Sequence, residues 1–265
     1  MDLVTIILFG LLTFITQCIE AITGFGSTVT ALPFGIALVG LNVARPVFAV
    51  TTLVMCSYIA IRERRYIKWK IYFRIIAIVL IGMPLGMFAF SHFNEWLLRI
   101  ILAIVVILIS LRGLIVHFVN TSTEKNEQES SPTSTESEPI STHTRFDARS
   151  LWLLCGGIVH GAFASGGPFI IIYTAKALPD KNNFRATMCM VWVTLNTIIT
   201  SQDIISGHFT VEVLILFGIS LLFTVASIFV GNILHKKCNA DVFTVLIYSV
   251  LFISGVFMLY AGFTS

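Results

Sequence analysis

Thr23-Gly24-Phe25-Gly26-Ser27-Thr28-Val29-Thr30-Ala31-Leu32-Pro33 lies inside a long apolar run. It sets Gly24, Gly26, Ser27, Thr28, Thr30 and Pro33 where an uninterrupted membrane-crossing helix favours leucine and isoleucine. The helix therefore breaks here. In hydrocarbon, a break is tolerated only where the freed amides and carbonyls are buried in protein or line a watery cavity. The same kind of break recurs as His160-Gly161-Ala162-Phe163-Ala164-Ser165-Gly166-Gly167-Pro168, in the corresponding part of the second half. Two Gly/Pro-interrupted apolar segments at matching positions point to the binding site of a transporter.

Working outward, the composition sets the class. Of 265 residues, 56% are hydrophobic and 12% charged, with a mean hydropathy of +0.91, which a water-soluble domain does not reach. Apolar runs able to cross or half cross a bilayer fall at about 3–22, 24–40, 45–61, 71–90 and 96–119, and again at 151–163, 166–178, 186–200, 211–234 and 242–262. The expected fold is an all-α polytopic membrane protein of 8 to 10 hydrophobic helical segments, each broken pair counting as one kinked span or one re-entrant hairpin. The first apolar run starts directly after Asp2, with no basic leader and no small-residue cleavage site, so it reads as a retained span and not a signal peptide. The net charge of +3 is scattered, which argues against a nucleic-acid partner. Cys18, Cys56, Cys155, Cys189 and Cys238 lie far apart without ligand spacing, so they read as small buried residues, with no disulfide and no metal site. The absence of a glycine-rich phosphate loop with its lysine leaves the chain no ATPase of its own, and no cofactor is implied.

The chain divides in two. Residues 1–119 form a first transmembrane repeat and 150–265 a second, joined by a hydrophilic linker over 120–149 that is rich in Ser, Thr, Glu, Pro and Asn. Such a linker buries too little apolar surface to offset its ordering entropy and is expected to be flexible. Its Asn120-Thr121-Ser122 matches a glycosylation sequon, a pattern common by chance, and the topology below puts it in the cytosol. Sliding the halves by 140 residues superposes Gly26 on Gly166, Ala37-Leu38 on Ala177-Leu178, Asn42 on Asn182 and Arg45 on Arg185. A slide of 145 carries Gly86 onto Gly231 and Asn94 onto Asn239. This register supports an internal duplication. Arg62, Arg64, Arg65, Lys68, Lys70 and Arg74 crowd one loop and place it in the cytoplasm, whereas the equivalent loop over 201–212 has no Lys or Arg. The halves are thus expected to be an inverted repeat.

Several side chains are candidates for chemistry. A half-helix that begins at a break points free N–H groups and its positive dipole end at the cavity, which suits an anion. Gly24, Gly26, Ser27, Ser165, Gly166 and Gly167 are therefore candidate substrate-binding residues, with Thr28 beside them. The plainer alternative is that the glycines let helices cross closely. Arg45 and Arg185 each follow a polar turn and open the next apolar segment. They either snorkel to the headgroups or turn inward, where a guanidinium fork matches a sulfonate, sulfite or carboxylate. Glu20 and His160 hold equivalent positions just before the two breaks and are candidate proton-coupling groups, the alternative being that each sits near an interface or is satisfied by a neighbouring break. Asp203, Lys176 and the basic cluster over 62–74 read as loop and topology charges, and Trp69, Trp96 and Trp152 as interface anchors. No catalytic set is expected. Ser165 before Gly166-Gly167 has a superficial likeness to an intramembrane serine protease, but that pattern wants a glycine where this chain has Phe163.

The two glycine-broken segments, the hydrophilic loop between the halves and the duplicated arginine together resemble the sulfite exporter TauE/SafE family of membrane permeases. In that family each half opens with a pattern like G-x-x-G-x-G-G-G, followed by apolar residues and a proline. The first copy here reads Ala21-Ile22-Thr23-Gly24-Phe25-Gly26-Ser27, and the second Gly161-Ala162-Phe163-Ala164-Ser165-Gly166-Gly167-Pro168. Ser27 and Thr28 stand for later glycines in the first copy, and Ala164 for an earlier one in the second. The resemblance implies a multi-pass plasma-membrane (bacterial inner-membrane) transporter of sulfite, sulfoacetate or other sulfonates.

Residues and resemblance together lead to the expectation of a secondary transporter of small anions. Its site would lie at the midplane between the breaks, with charge from Arg45 and Arg185, and one repeat would rock against the other to alternate access. The rivals are a passive anion channel, an intramembrane serine hydrolase and a purely structural role. The bilayer and a small anion are the expected partners; the oligomeric state is left open, a homodimer being compatible with the sequence.

Overall fold

The computed structural model describes residues 2–92, 100, 103–108, 110–115, 148–163, 166–237 and nine positions between 245 and 260. Linker residues 120–147, Asn94, Trp96, Ser165, Cys238 and Asn239 lie outside the described residues. Among the described residues there is no strand; nine α-helices have traced bounds, and residue 100 and the positions between 245 and 260 are helical as well. In the first half they are α1 (Leu3–Thr23), α2 (Ser27–Val39), α3 (Leu41–Arg62), α4 (Trp69–His92) and α5 (Ala103–Ile115). In the second half they are α6 (Ala148–Phe163), α7 (Gly167–Ala177), α8 (Lys181–Ile205) and α9 (Val211–Lys237). Helix α6 thus starts two residues before position 150, where the second repeat was expected to begin. Five of the nine, α1, α3, α4, α8 and α9, are long and apolar enough to cross a membrane.

The outward faces fit hydrocarbon. Leu3, Ile7, Leu11 and Ile15 form an exposed stripe along α1, and Leu214, Leu222, Val225, Phe229 and Ile233 do so along α9. Polar side chains point inward instead: Thr13, Gln17, Glu20, Ser27, Thr52, Asn196 and Asp203 are all buried. This inversion of the water-soluble pattern is what a lipid solvent requires.

The first break is a hairpin turn and not a kink. Helix α1 ends on Gly24, left-handed at φ 83, and α2 starts from Gly26 at φ 103, conformations that glycine adopts without the strain of a Cβ. Helix α2 then runs back along α1. Ser27 lies beside Glu20, while Gly35 abuts Phe48, whose ring stacks on Phe9 near the start of α1 at 4.9 Å. Helix α7 turns back along α6 in the same way, with Ile170 against Gly156 and Phe169 stacked on Trp152 at 6.2 Å. At 1.5 Å per residue, the 13 residues of α2 and 11 of α7 half cross a bilayer, reaching roughly 20 and 17 Å.

The main interfaces join one half to the other: α4 packs on α6, α1 on α9, and α3 on α8. The first is a contact of backbones. Gly82 and Gly86 of α4 face Gly157 and Gly161 of α6, so that a Cβ at any of the four would strike backbone atoms of the opposing helix. Two glycines four apart on each helix let the axes approach this closely, with van der Waals packing as the gain. Gly231 of α9 similarly meets Ala21 of α1.

Helices α3 and α8 cross antiparallel, and an ion pair closes each end. Arg45 near the start of α3 meets Asp203 near the end of α8 at 3.2 Å, and Arg185 near the start of α8 meets Glu63 at the end of α3 at 2.8 Å. The reading of Asp203 as a loop charge is therefore corrected: it is 1% exposed and neutralised by Arg45. Arg45 maps to Arg185, and Glu63 to Asp203, at the same offset of 140 residues. The starts of α2 and α7, and of α3 and α8, are 140 apart as well.

Two outcomes are expected. Gly157→Val should overpack α4–α6 by about 1–3 kcal/mol and lower the thermal midpoint in detergent, whereas Gly218→Ala, which faces open space, should leave it unchanged. Equal midpoints would show that the two helices do not meet through their backbones. Arg45→Gln and Asp203→Asn should each cost about 3–5 kcal/mol by stranding a buried charge, and the double variant should cost much less than their sum. Additive losses in that cycle would show that the pair is not formed.

Candidate functional site

The chain reversal at the first break frees the N–H groups of the first turn of α2, and Gly26 has no side chain to cap them. Helix α1 supplies the cap. Ser27 N donates to Glu20 Oε2 at 3.2 Å, and the Ser27 hydroxyl donates to the same oxygen. Thr23 secures the turn itself, its hydroxyl donating to Phe25 O at 2.6 Å and accepting from Phe25 N at 3.2 Å. At the second break, Gly166 N donates to His160 Nδ1 at 3.5 Å. A histidine thus does for α7 what a carboxylate does for α2. With Nδ1 accepting, the neutral ring carries its hydrogen on Nε2.

Helix α8 ties the two breaks together through Trp192. Its indole N–H donates to Gly24 O at 2.9 Å, and its ring lies 5.7 Å from that of His160. Gly24 itself packs so closely on the Arg185 backbone that a Cβ there would collide with it.

Between the breaks lies a pocket lined by Glu20, Gly26, Thr28, Val29, Thr52, His160, Gly167, Trp192 and Asn196. Its free volume is about 20 Å³, room for about one water molecule, so the pocket is closed in this conformation. Its mostly apolar lining carries polar groups that are incompletely paired: His160 Nε2 and Asn196 Oδ1 are buried without a hydrogen-bond partner among the described residues. A buried polar group without a partner costs about 1–3 kcal/mol, which a ligand or water would relieve. Ser27 and Thr28 extend the hydroxyl wall, both within hydrogen-bonding reach of Thr52 Oγ1, at 3.0 and 3.4 Å. Gly167 opens onto the pocket, where a Cβ would find ordinary contacts of 3.7 and 3.8 Å.

Of the sequence-derived candidates, Glu20, Gly26, His160 and Gly167 meet in this pocket. Gly24, Ser27 and Gly166 stand directly behind it, holding the two turns. Ser165 lies outside the described residues. Neither Arg45 nor Arg185 lines the pocket: each turns inward, as one of the two readings held, but to a carboxylate at opposite ends of the α3–α8 crossing. Sequence reasoning missed Thr52, Trp192, Asn196 and Glu63. The 140-residue offset contained a signal for them, since it maps Thr52 to Trp192, Cys56 to Asn196 and Glu63 to Asp203.

A profile of the sulfite exporter TauE/SafE family matches residues 9–258. No curated protein and no solved structure matches the chain. That profile runs through both hairpins, the crossing pair and the pocket between them, and with five helices able to span a bilayer the chain belongs to the sulfite exporter TauE/SafE family of multi-pass membrane transport proteins.

Proposed function

We propose that the chain is a secondary transporter of small anions, sulfite or an organosulfonate, in the plasma membrane, with the substrate held where the two hairpin turns converge. The observation that carries this reading is the convergence of two half-helix N-termini on one pocket into which His160 turns Nε2, a buried donor without a partner among the described residues. N–H groups at α2 and α7, with the Thr28 and Thr52 hydroxyls, supply donors suited to sulfur oxygens. Positive charge at the centre thus comes from helix dipoles, and the arginines act elsewhere.

Glu20 determines the coupling. A bound anion and an ionised Glu20 in one dry pocket repel each other, so anion loading is accompanied by a proton on Glu20. His160 holds the equivalent place at the other turn and donates to the anion.

We further propose that the halves are an inverted repeat, supported by the antiparallel crossing of α3 and α8 and by the pairing of α1 with α9 and α4 with α6. Rocking one whole repeat against the other would tear the glycine-lined contacts between halves. Alternating access is instead gated at the ends of the crossing, Arg45–Asp203 closing one side and Arg185–Glu63 the other.

The test is flux of sulfite and of methanesulfonate in proteoliposomes. Gly167→Ala, which the backbone accommodates, should cut flux at least about tenfold by filling the pocket while leaving the melting midpoint in place; unchanged flux would remove the pocket from the path. Glu20→Gln is expected to abolish the response of flux to an imposed proton gradient. A passive anion channel would show linear, unsaturating flux that ignores the gradient in the parent protein as well.

A further inference from the structure

A second cavity, of about 270 Å³, opens where α3 and α9 end and α8 begins. Arg62, Arg65, Arg185 and Lys236 line it against one carboxylate, Glu63. Surface arginines alone would mean little, but the innermost of these is buried. Arg185 is 1% exposed, its NH1 donates to Glu63 Oε1 at 2.8 Å, and its NH2 donates to Asn232 Oδ1. The pairing is incomplete on both sides: Arg185 Nε and Glu63 Oε2 are buried without a partner among the described residues. A guanidinium that meets a carboxylate through one N–H and one oxygen forgoes the two-pronged geometry in which such pairs are strongest. Glu63 stands at the C-cap of α3, directly before the 3-10 turn Arg64–Tyr66, where its side chain alone has to swing to release Arg185.

We propose that this cavity is an anion-binding vestibule, in which a small tetrahedral oxyanion takes the place of Glu63 on Arg185 and thereby unlocks that end of the α3–α8 crossing. Three oxygens on one centre can accept from the Nε–NH2 edge of Arg185 and from the Asn232 amide nitrogen together, where Glu63 satisfies NH1 alone. Arg62 and Lys236 raise the local anion concentration at the mouth. By the excess of basic residues around it, this mouth faces the cytoplasm.

The vestibule is mechanically joined to the central pocket. Gly24 rests on the Arg185 backbone, Trp192 of the same helix holds Gly24 O, and His235 Nδ1 in the vestibule wall donates to Ile22 O at 2.6 Å. Releasing Arg185 from Glu63 therefore loosens the first hairpin turn, so the anion that opens the gate is the one the pocket then receives. This last step rests on the anion-transport reading; binding in the vestibule does not.

The decisive property is the sign of the Glu63 effect. Sodium methanesulfonate is titrated calorimetrically, at constant ionic strength, into the full chain in phosphatidylcholine nanodiscs. An Asn196→Leu background blocks the central pocket, so heat reports the vestibule alone. Glu63→Gln removes the internal competitor and should tighten binding about tenfold; Lys236→Gln and Arg62→Gln, both at the mouth, should weaken it several-fold. Binding that is unchanged or weakened by Glu63→Gln, or undetectable in both forms, overturns the proposal. Repeating the titration with phosphatidylglycerol in the disc separates two sources of the same oxyanion chemistry: competition by the lipid assigns the site to headgroup phosphate, and its absence to a soluble anion. Vestibule binding that persists in a protein without anion flux would refute the transport reading and leave this one standing.

Discussion

The obligation to satisfy backbone N–H and C=O groups without water governs this structure. An α-helix meets it within itself, and every departure from helix inside the bilayer has to be compensated by other parts of the protein. Among the described residues the chain departs at Gly24–Gly26 and around Gly166, and the compensation draws in one helix after another. Glu20 and His160 cap the returning helices. Trp192 reaches from α8 to the freed carbonyl of Gly24. The pocket is where these arrangements meet, and its unpaired atoms are what the compensation leaves over.

The same constraint explains why buried charges appear in a chain so poor in charge. Arg45, Asp203 and Arg185 would each be costly alone in hydrocarbon, and paired they are close to neutral in energy. Such a pair contributes little net stability but is intolerant of losing one partner. That makes it suited to a gate: closed when paired, and opened by whatever offers either charge a better partner. The two pairs stand at opposite ends of one helix crossing, with the central pocket between them along α3 and α8. The ends differ, since the Arg185–Glu63 pair floors a cavity of about 270 Å³, whereas the central pocket has room for about one water molecule.

Small residues set the frame around these pairs. Lipid chains offer no hydrophobic drive for helices to associate, so close packing has to supply it. Gly82, Gly86, Gly157 and Gly161 bring α4 and α6 together backbone to backbone, and α4 on α6 and α1 on α9 each join a helix of one half to a helix of the other. The halves are interlaced.

By itself, the sequence determined whatever depends on local pattern. Hydropathy marked a polytopic helical membrane protein, glycine and proline marked both breaks, and the 140-residue register marked Glu20 with His160 and Gly26 with Gly166 as equivalents, because period and spacing are properties of the chain alone. Tertiary structure decided whom each side chain meets. That the first break is a hairpin turn follows from Gly35 packing on Phe48, and that the arginines pair with Glu63 and Asp203 follows from α3 crossing α8 antiparallel. A charge in an apolar segment looks the same on paper whether it faces substrate, headgroup or counter-ion, since its partner lies 122 or 158 residues away. The choice is made by which helices pack, and that depends on backbone contact surfaces that no single segment contains.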